Sequence, residues 1–189
     1  MKIILDLETT GIPLEKSRFK FYPPNDIDKY NSSRIIEIGY IICDDKNQKI
    51  AEKDFIIKPD NFIIQNEHIH HISQELAELK GQNIKDVFTQ LYEDIKNCNI
   101  LISHNINFDY NVLFSECIRY NNEELILKLN NIEKYCTMLE GQKKLNLYKW
   151  PKLILLVDYF FPDEKWDQKH NALDDAQYCF KCYCRLENM

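Results

Sequence analysis

Glycine is scarce, with four in 189 residues, while Ile, Asn, Lys and Tyr are abundant. This pattern reflects the codon usage of an AT-rich genome and not a functional demand. No apolar run approaches the roughly 20 residues of a membrane span, so a transmembrane helix is not expected. The apolar stretch at the N-terminus is too short for a secretory signal and already contains Asp6. The seven cysteines are odd in number, which argues against a disulfide framework and points to a reducing, intracellular compartment. Cys179, Cys182 and Cys184 with His170 invite a zinc reading, but no second ligand pair stands at zinc-site spacing. A buried helix face with ordinary thiols is the simpler account. A basic balance is also lacking: the net charge is −6 and the pI about 5.4. That excludes a protein that coats duplex nucleic acid through a broad basic face, but not one that grips a few nucleotides. There is no repeat, low-complexity tract or linker, so one domain with a proper core is expected.

What is present reads as alternating strands and helices. Ile3-Ile4-Leu5 is the core of a buried strand. Residues 12–33 read as an irregular stretch, with Pro13, Pro23 and Pro24 among turn formers. Residues 34–42 read as a central strand, and a turn at 44–47 leads to a hairpin partner at 49–58. Asn83 starts a helix with Val87, Phe88, Leu91, Tyr92 and Ile95 on its apolar side. A short strand at 99–103 is followed by a helix at 109–120. A fifth strand is expected at 135–138, a helix at 152–161 stopped by Pro162, and a last helix at 173–186. This order predicts an α/β fold: a mixed sheet with helices on both faces and ligands at the carboxyl ends of its strands.

Three short segments carry the chemistry. Asp6 and Glu8 stand at i and i+2 on the first strand, so they share a face. Two neighbouring carboxylates repel each other unless a cation sits between them, which a divalent metal ion supplies. Thr9-Thr10-Gly11 then turns the backbone toward whatever the metal holds. Ser103-His104-Asn105-Ile106-Asn107-Phe108-Asp109 lies where a strand gives way to a helix. Asp109 there serves either as a helix cap or as a third carboxylate at the strand ends. His170-Asn171-Ala172-Leu173-Asp174-Asp175 opens the last helix. Asp174 and Asp175 point to different helix faces, so one of them can join a common site.

Together these motifs resemble the DEDDh 3′–5′ exonucleases, the family that includes the proofreading epsilon subunit of bacterial DNA polymerase III and stand-alone relatives. The carriers are Asp6-x-Glu8 with Thr-Thr-Gly, His104-Asn105 with Phe108-Asp109, and His170 with Asp175 five residues on. Residues 34–39 look like the family's second strand. Residues 69–73 look like its His-Gly-Ile segment, with His71 where Gly is usual. Cys136-Thr137-Met138 stands where many members have Asp-Thr. Both departures are expected to lie away from the catalytic positions.

The resemblance implies a ribonuclease H-like fold, a five-stranded mixed sheet flanked by helices, as one exonuclease domain over residues 1–189. It implies catalytic residues Asp6, Glu8, Asp109, His170 and Asp175. Two divalent ions, Mg²⁺ or Mn²⁺, would be held by Asp6, Glu8, Asp109 and Asp175. Bound ions would bring the formal charge from −6 to −2. One ion lowers the pKa of the attacking water and the other steadies the leaving oxygen, with His170 as general base. Glu8, Thr9, Thr10, Gly11, Ile12, Asn105 and Phe108 would hold the single-stranded 3′ end of DNA or RNA, and the product would be a nucleoside 5′-monophosphate. DNA is the first expectation, in replication or repair. An oligoribonuclease-like RNA enzyme is the alternative. From other classes, a non-catalytic nucleic-acid-binding module or a polymerase-docked subunit is weighed against it. The complete acid set disfavours the first. The short C-terminus leaves no docking tail for the second, so a free-standing enzyme is expected. Lys16, Arg18, Phe19, Lys20, Phe21 and Tyr22 suit either single-stranded nucleic acid or a surface loop pinned by its aromatics.

Overall fold

The computed structural model describes residues 1–17, 20–167 and 170–189. β1 (Lys2–Thr9) is followed by a small ribbon, β2 (Glu15–Ser17) with β3 (Lys20–Phe21), and by a 3₁₀ turn at Ile27–Tyr30. The 12–33 stretch is therefore less irregular than its composition predicts. Then come β4 (Ile35–Cys43), β5 (Lys49–Ile56), α1 (Glu67–His70), α2 (Gln74–Lys80), α3 (Ile84–Ile95) and β6 (Ile100–Ser103). The chain continues through α4 (Ile106–Arg119), α5 (Glu123–Asn131), β7 (Glu133–Cys136), α6 (Thr137–Lys144), α7 (Leu153–Phe160) and α8 (Ala172–Glu187). Among the described residues no helix is long and apolar enough to cross a membrane.

The main sheet has the order β5-β4-β1-β6-β7. β1 is antiparallel to β4 and parallel to β6, and β4 and β5 form the expected hairpin. This is the five-stranded mixed sheet, flanked by helices, of a ribonuclease H-like α/β fold. Two sequence boundaries shift. The fifth strand ends at Cys136, and Thr137 and Met138 already belong to α6. α4 begins at Ile106, so Asp109 sits inside its first turn and is not its cap.

Period-two alternation divides β1 between two cores. Ile3, Leu5 and Leu7 pack with Ile38, Tyr40, Val87, Phe88 and Leu113 on one face. Ile4 packs with Ile41, Ile102, Ala176 and Cys179 on the other, under α7 and α8. Each fully buried aliphatic side chain contributes about 1.5–3 kcal/mol. Asp6 and Glu8 continue the Ile4 side of β1, so the alternation that buries Ile4 turns both carboxylates toward α8. That helix buries Ala172, Asp175, Ala176, Cys179, Cys182 and Leu186, a stripe at helical spacing. The cysteines at 179 and 182 are thus core residues.

Candidate active site

Antiparallel pairing of β1 with β4 sets Asp6 opposite Gly39 and Glu8 opposite Glu37. Directly paired residues share a face, so all four positions lie under the start of α8. Gly39 is there because nothing larger fits. A Cβ on it would stand 2.1 Å from the Leu173 backbone nitrogen and 2.2 Å from the Ala172 carbonyl carbon. Glu37 completes the seat. Its carboxylate accepts the Ala172 backbone N–H and the Asn171 side-chain amide, each at 2.8 Å. The first of these satisfies one of the orphan N–H groups of the helix start. Asn171 in turn caps α8, its Oδ1 accepting the Asp174 N–H at 3.0 Å.

The helix so placed carries Asp175, which is buried, toward β1. Among the described residues one group of His, Cys, Asp or Glu side chains converges tightly enough to hold an ion. It is Glu8, His170 and Asp175, with ligand atoms all within 4.8 Å of one another. His170 adopts φ 50, the left-handed region, directly before the cap. Such a conformation costs about 1–3 kcal/mol and concentrates at functional sites. Asp6 joins His170 and Asp175 in the wall of a cleft of about 880 Å³. Asp109 is buried behind it.

The charges in this cluster oppose one another. Burial pushes the Asp6 carboxyl well above the usual carboxylate range, and Asp109, Asp175, Glu8 and Glu37 add to the shift. Burial, then Asp175, Glu37 and Asp109, push Glu8 up to about 9. Asp109 is raised by burial and by Asp175, against its two backbone donors. Glu37 is raised by burial to about 7 despite its own two donors. A cluster of acids this crowded favours neutral forms or a compensating cation. The carboxylate oxygens of this cluster suit a hard divalent ion, and the imidazole beside them is a base within reach of it.

His170 moves the other way. Burial holds its pKa below the ordinary value, and His71, His70 and Lys152 push it further down. His71, expected to lie away from the catalytic motifs, thus bears on His170 electrostatically. His71 itself has φ 58 and ψ 20, the left-handed backbone that suits the Gly usual at this position.

The substrate-side residues are not all brought together. Thr9 and Thr10 are braced within their loop: Thr9 Oγ1 donates to the Gly11 carbonyl at 2.7 Å, and Thr10 Oγ1 accepts the Arg34 N–H at 2.9 Å. Gly11 lies close to Ser32, whose carbonyl would stand 2.9 Å from an added Cβ. Ile12 is 67% exposed. Phe108 packs edge-on against Phe21, with ring centroids 6.1 Å apart. Asn105 lines the cleft with φ 63. Of the basic–aromatic set at 16–22, Arg18 and Phe19 lie outside the described residues. Tyr22 is covered by the ammonium groups of Lys16 and Lys29, at 5.1 and 5.2 Å from its ring centre.

His104 and Glu37 are the residues the motif reading leaves without a role. His104 is held neutral, burial pushing it down to about 4. Its Nε2–H donates to the Pro151 carbonyl at 3.1 Å, so Nδ1 accepts the Thr137 hydroxyl at 3.0 Å. Glu37 carries a local signal: one acid in an otherwise apolar strand must have a buried partner.

The exonuclease family model RNase T matches residues 3–183. No curated protein matches the sequence. Among solved structures, Exonuclease X in complex with 5′-overhanging duplex DNA is similar over 100% of this chain and 92% of its own, at 18% identity and TM-score 0.65. Pop2p of S. pombe, in its Mg²⁺- and Mn²⁺-bound form, is similar over 99% and 82%, at 16% identity and TM-score 0.73. The zinc-bound E. coli ExoI–single-stranded DNA complex is similar over 99% of this chain but only 42% of its own, at 17% identity and TM-score 0.65. At these identities the structures speak for the fold, while the family match spans nearly the whole chain: the protein belongs to the RNase T exonuclease family.

Proposed function

We propose that residues 1–189 act as one exonuclease domain that removes nucleoside 5′-monophosphates from single-stranded 3′ ends, DNA before RNA. Asp6, Glu8, Asp109 and Asp175 would hold two divalent ions, Mg²⁺ or Mn²⁺. The observation that carries this reading is the convergence of Glu8, His170 and Asp175 within 4.8 Å, with Asp6 beside them in the cleft wall. Bound there, the ions would supply a nucleophile at neutral pH and charge for the leaving oxygen.

The chain's own residues do the rest. His170 accepts the proton of the attacking water, and its lowered pKa keeps it neutral and ready at physiological pH. The Thr9 backbone N–H would meet the terminal 3′-OH beside Glu8, while the Thr10 N–H braces the turn by donating to the Arg34 carbonyl at 2.9 Å. Ile12, being exposed, is available to pack on the terminal base. Phe108 would share that task from beside Phe21. Asn105 would steady the strand from the cleft wall. The preference for DNA leans on the DNA complexes of Exonuclease X and ExoI.

The test is incubation with Mg²⁺ or Mn²⁺ and 5′-labelled single- and double-stranded DNA and RNA. A ladder shortening from the 3′ end is expected, fastest on single-stranded DNA. Internal cuts only, or no digestion, would sink the reading. Faster digestion of RNA would overturn the sugar preference alone.

A further inference from the structure

We infer that the segment joining α6 to α7 is a second part of the substrate site, a platform for the single strand on the 5′ side of the cut. The inference rests on the exonuclease reading for the identity of the strand.

Releasing one nucleotide requires chain on both sides of the scissile phosphate. Thr9–Ile12 and Phe108, proposed for the terminal nucleotide, do not line the cleft of about 880 Å³. That cleft runs from Asp6, His170 and Asp175 to Tyr148, Lys149, Trp150 and Lys152. The strand leaving the acidic cluster on the side away from Glu8 therefore meets this segment.

Its chemistry suits that occupant. The chain as a whole has 30 acidic and 24 basic residues. Residues 141–157 nevertheless carry Lys143, Lys144, Lys149 and Lys152 with no Asp or Glu. Lys144 is engaged, donating to the Leu186 carbonyl at 2.6 Å, whereas Lys149 and Lys152 are exposed at the cleft. Tyr148 is 95% exposed and Trp150 46%. Large aromatics interleaved with lysines are what a base-stacking, phosphate-tracking surface needs. At the other such set Tyr22 is covered by Lys16 and Lys29, and Phe21 by Phe108, whereas the ring of Tyr148 is almost wholly exposed. A basic or purely apolar partner would not explain lysines at the cleft edge, and an acidic peptide would leave the exposed ring of Tyr148 unused.

The platform is also pre-formed. The Leu147 N–H donates to the Gln142 carbonyl at 2.9 Å, and the Pro151 carbonyl takes the His104 Nε2–H at 3.1 Å. His104 directly precedes Asn105, which starts the helix that carries Asp109. The segment is thus fixed relative to the acids, and little ordering entropy is spent when a strand docks.

The test is fluorescence anisotropy of 5′-labelled oligothymidylate of about ten nucleotides, in EDTA so that nothing is cut. Wild type is compared with Tyr148→Ala and Lys149→Gln, both on exposed side chains. Each variant is expected to bind about tenfold more weakly. Lys149→Gln is expected to lower the salt dependence of binding by about 0.7 in log–log slope. Unchanged affinity and slope in both variants, or no binding by wild type, overturns the platform and leaves the apolar surface around Leu147, Leu155 and Tyr159 to a protein partner. Binding needs no hydrolysis. A protein that binds through this segment but digests nothing therefore keeps the platform and loses the exonuclease reading of its acids.

Discussion

The carboxylate of Glu37 accepts the backbone N–H of Ala172 at 2.8 Å, across 135 residues of chain. One strand thereby holds the N-terminus of the last helix over the acidic pair of its neighbour. Asp175 and His170, either side of that helix start, owe their positions to this contact and to the bare backbone of Gly39.

Glu37→Ala leaves the buried Ala172 N–H unpaired, at a cost of about 1–3 kcal/mol, and takes an acceptor from the half-buried Asn171 amide. A lowered Tm is expected, together with a fall in kcat of about 10²-fold as Asp175 and His170 shift. Glu37→Gln keeps an acceptor for Ala172 and is expected to fall between. Wild-type kcat and Tm in Glu37→Ala would show the anchor to be dispensable.

The acid cluster should make stability depend on pH and on metal. Glu8 has a folded-state pKa of about 9, above its ordinary value. Its favourable contribution is complete below about pH 4.5 and is lost as pH rises through about 9. Without divalent ions, calorimetry should therefore show this part of the stability declining toward alkaline pH. Mg²⁺ or Mn²⁺ should raise Tm more at about pH 8.5 than at about pH 5.5. Asp6→Asn should raise the metal-free Tm at the higher pH and shrink the response to metal. A metal response independent of pH would contradict the charge account.

His170 should set the acid limb of the pH–rate profile. Its lowered pKa places that limb below the ordinary histidine value of about 6.5. Removing the His71 imidazole, which lowers the His170 pKa, with His71→Asn, which tolerates the left-handed backbone, should move the limb to higher pH. His170→Ala should slow the reaction by about 10²–10⁴-fold. A limb unmoved in His71→Asn would separate the two histidines.

Asp174 and Asp175 are neighbours with different surroundings. Asp175 is buried at the cleft, whereas Asp174 accepts the Trp166 indole N–H at 2.8 Å. Asp175→Asn should abolish metal-dependent digestion while the fold, read by circular dichroism, persists. Asp174→Asn should cost about 1 kcal/mol or less of stability and keep kcat within the same order of magnitude. Equal losses in both variants would remove the distinction.

Much of the scaffold is legible locally. Ile35–Ile42 is apolar enough to read as a strand buried on both faces, and it is one. The stripe of Ala172, Ala176, Cys179 and Cys182 reads as a helix face, and it is buried. Short elements are less legible. α1 spans one turn and α2 two, too little for periodicity to register. α5 does carry a signal: Asn122 accepts the Leu125 N–H at 2.9 Å, and Leu125 and Leu129 repeat at helical spacing.

By itself the sequence determined that Asp6 and Glu8 share a face, because a strand alternates its side chains. It left Asp174 and Asp175 on different helix faces, and only the resemblance, by the spacing from His170, picked Asp175. Which acid of a distant strand would seat that helix, that His71 would act on His170, and that the Tyr148–Lys152 segment would form the far wall of the cleft were decided only by tertiary structure. Strand register and helix docking are set by the burial of whole faces against one another. No short window of sequence contains both sides of such a contact.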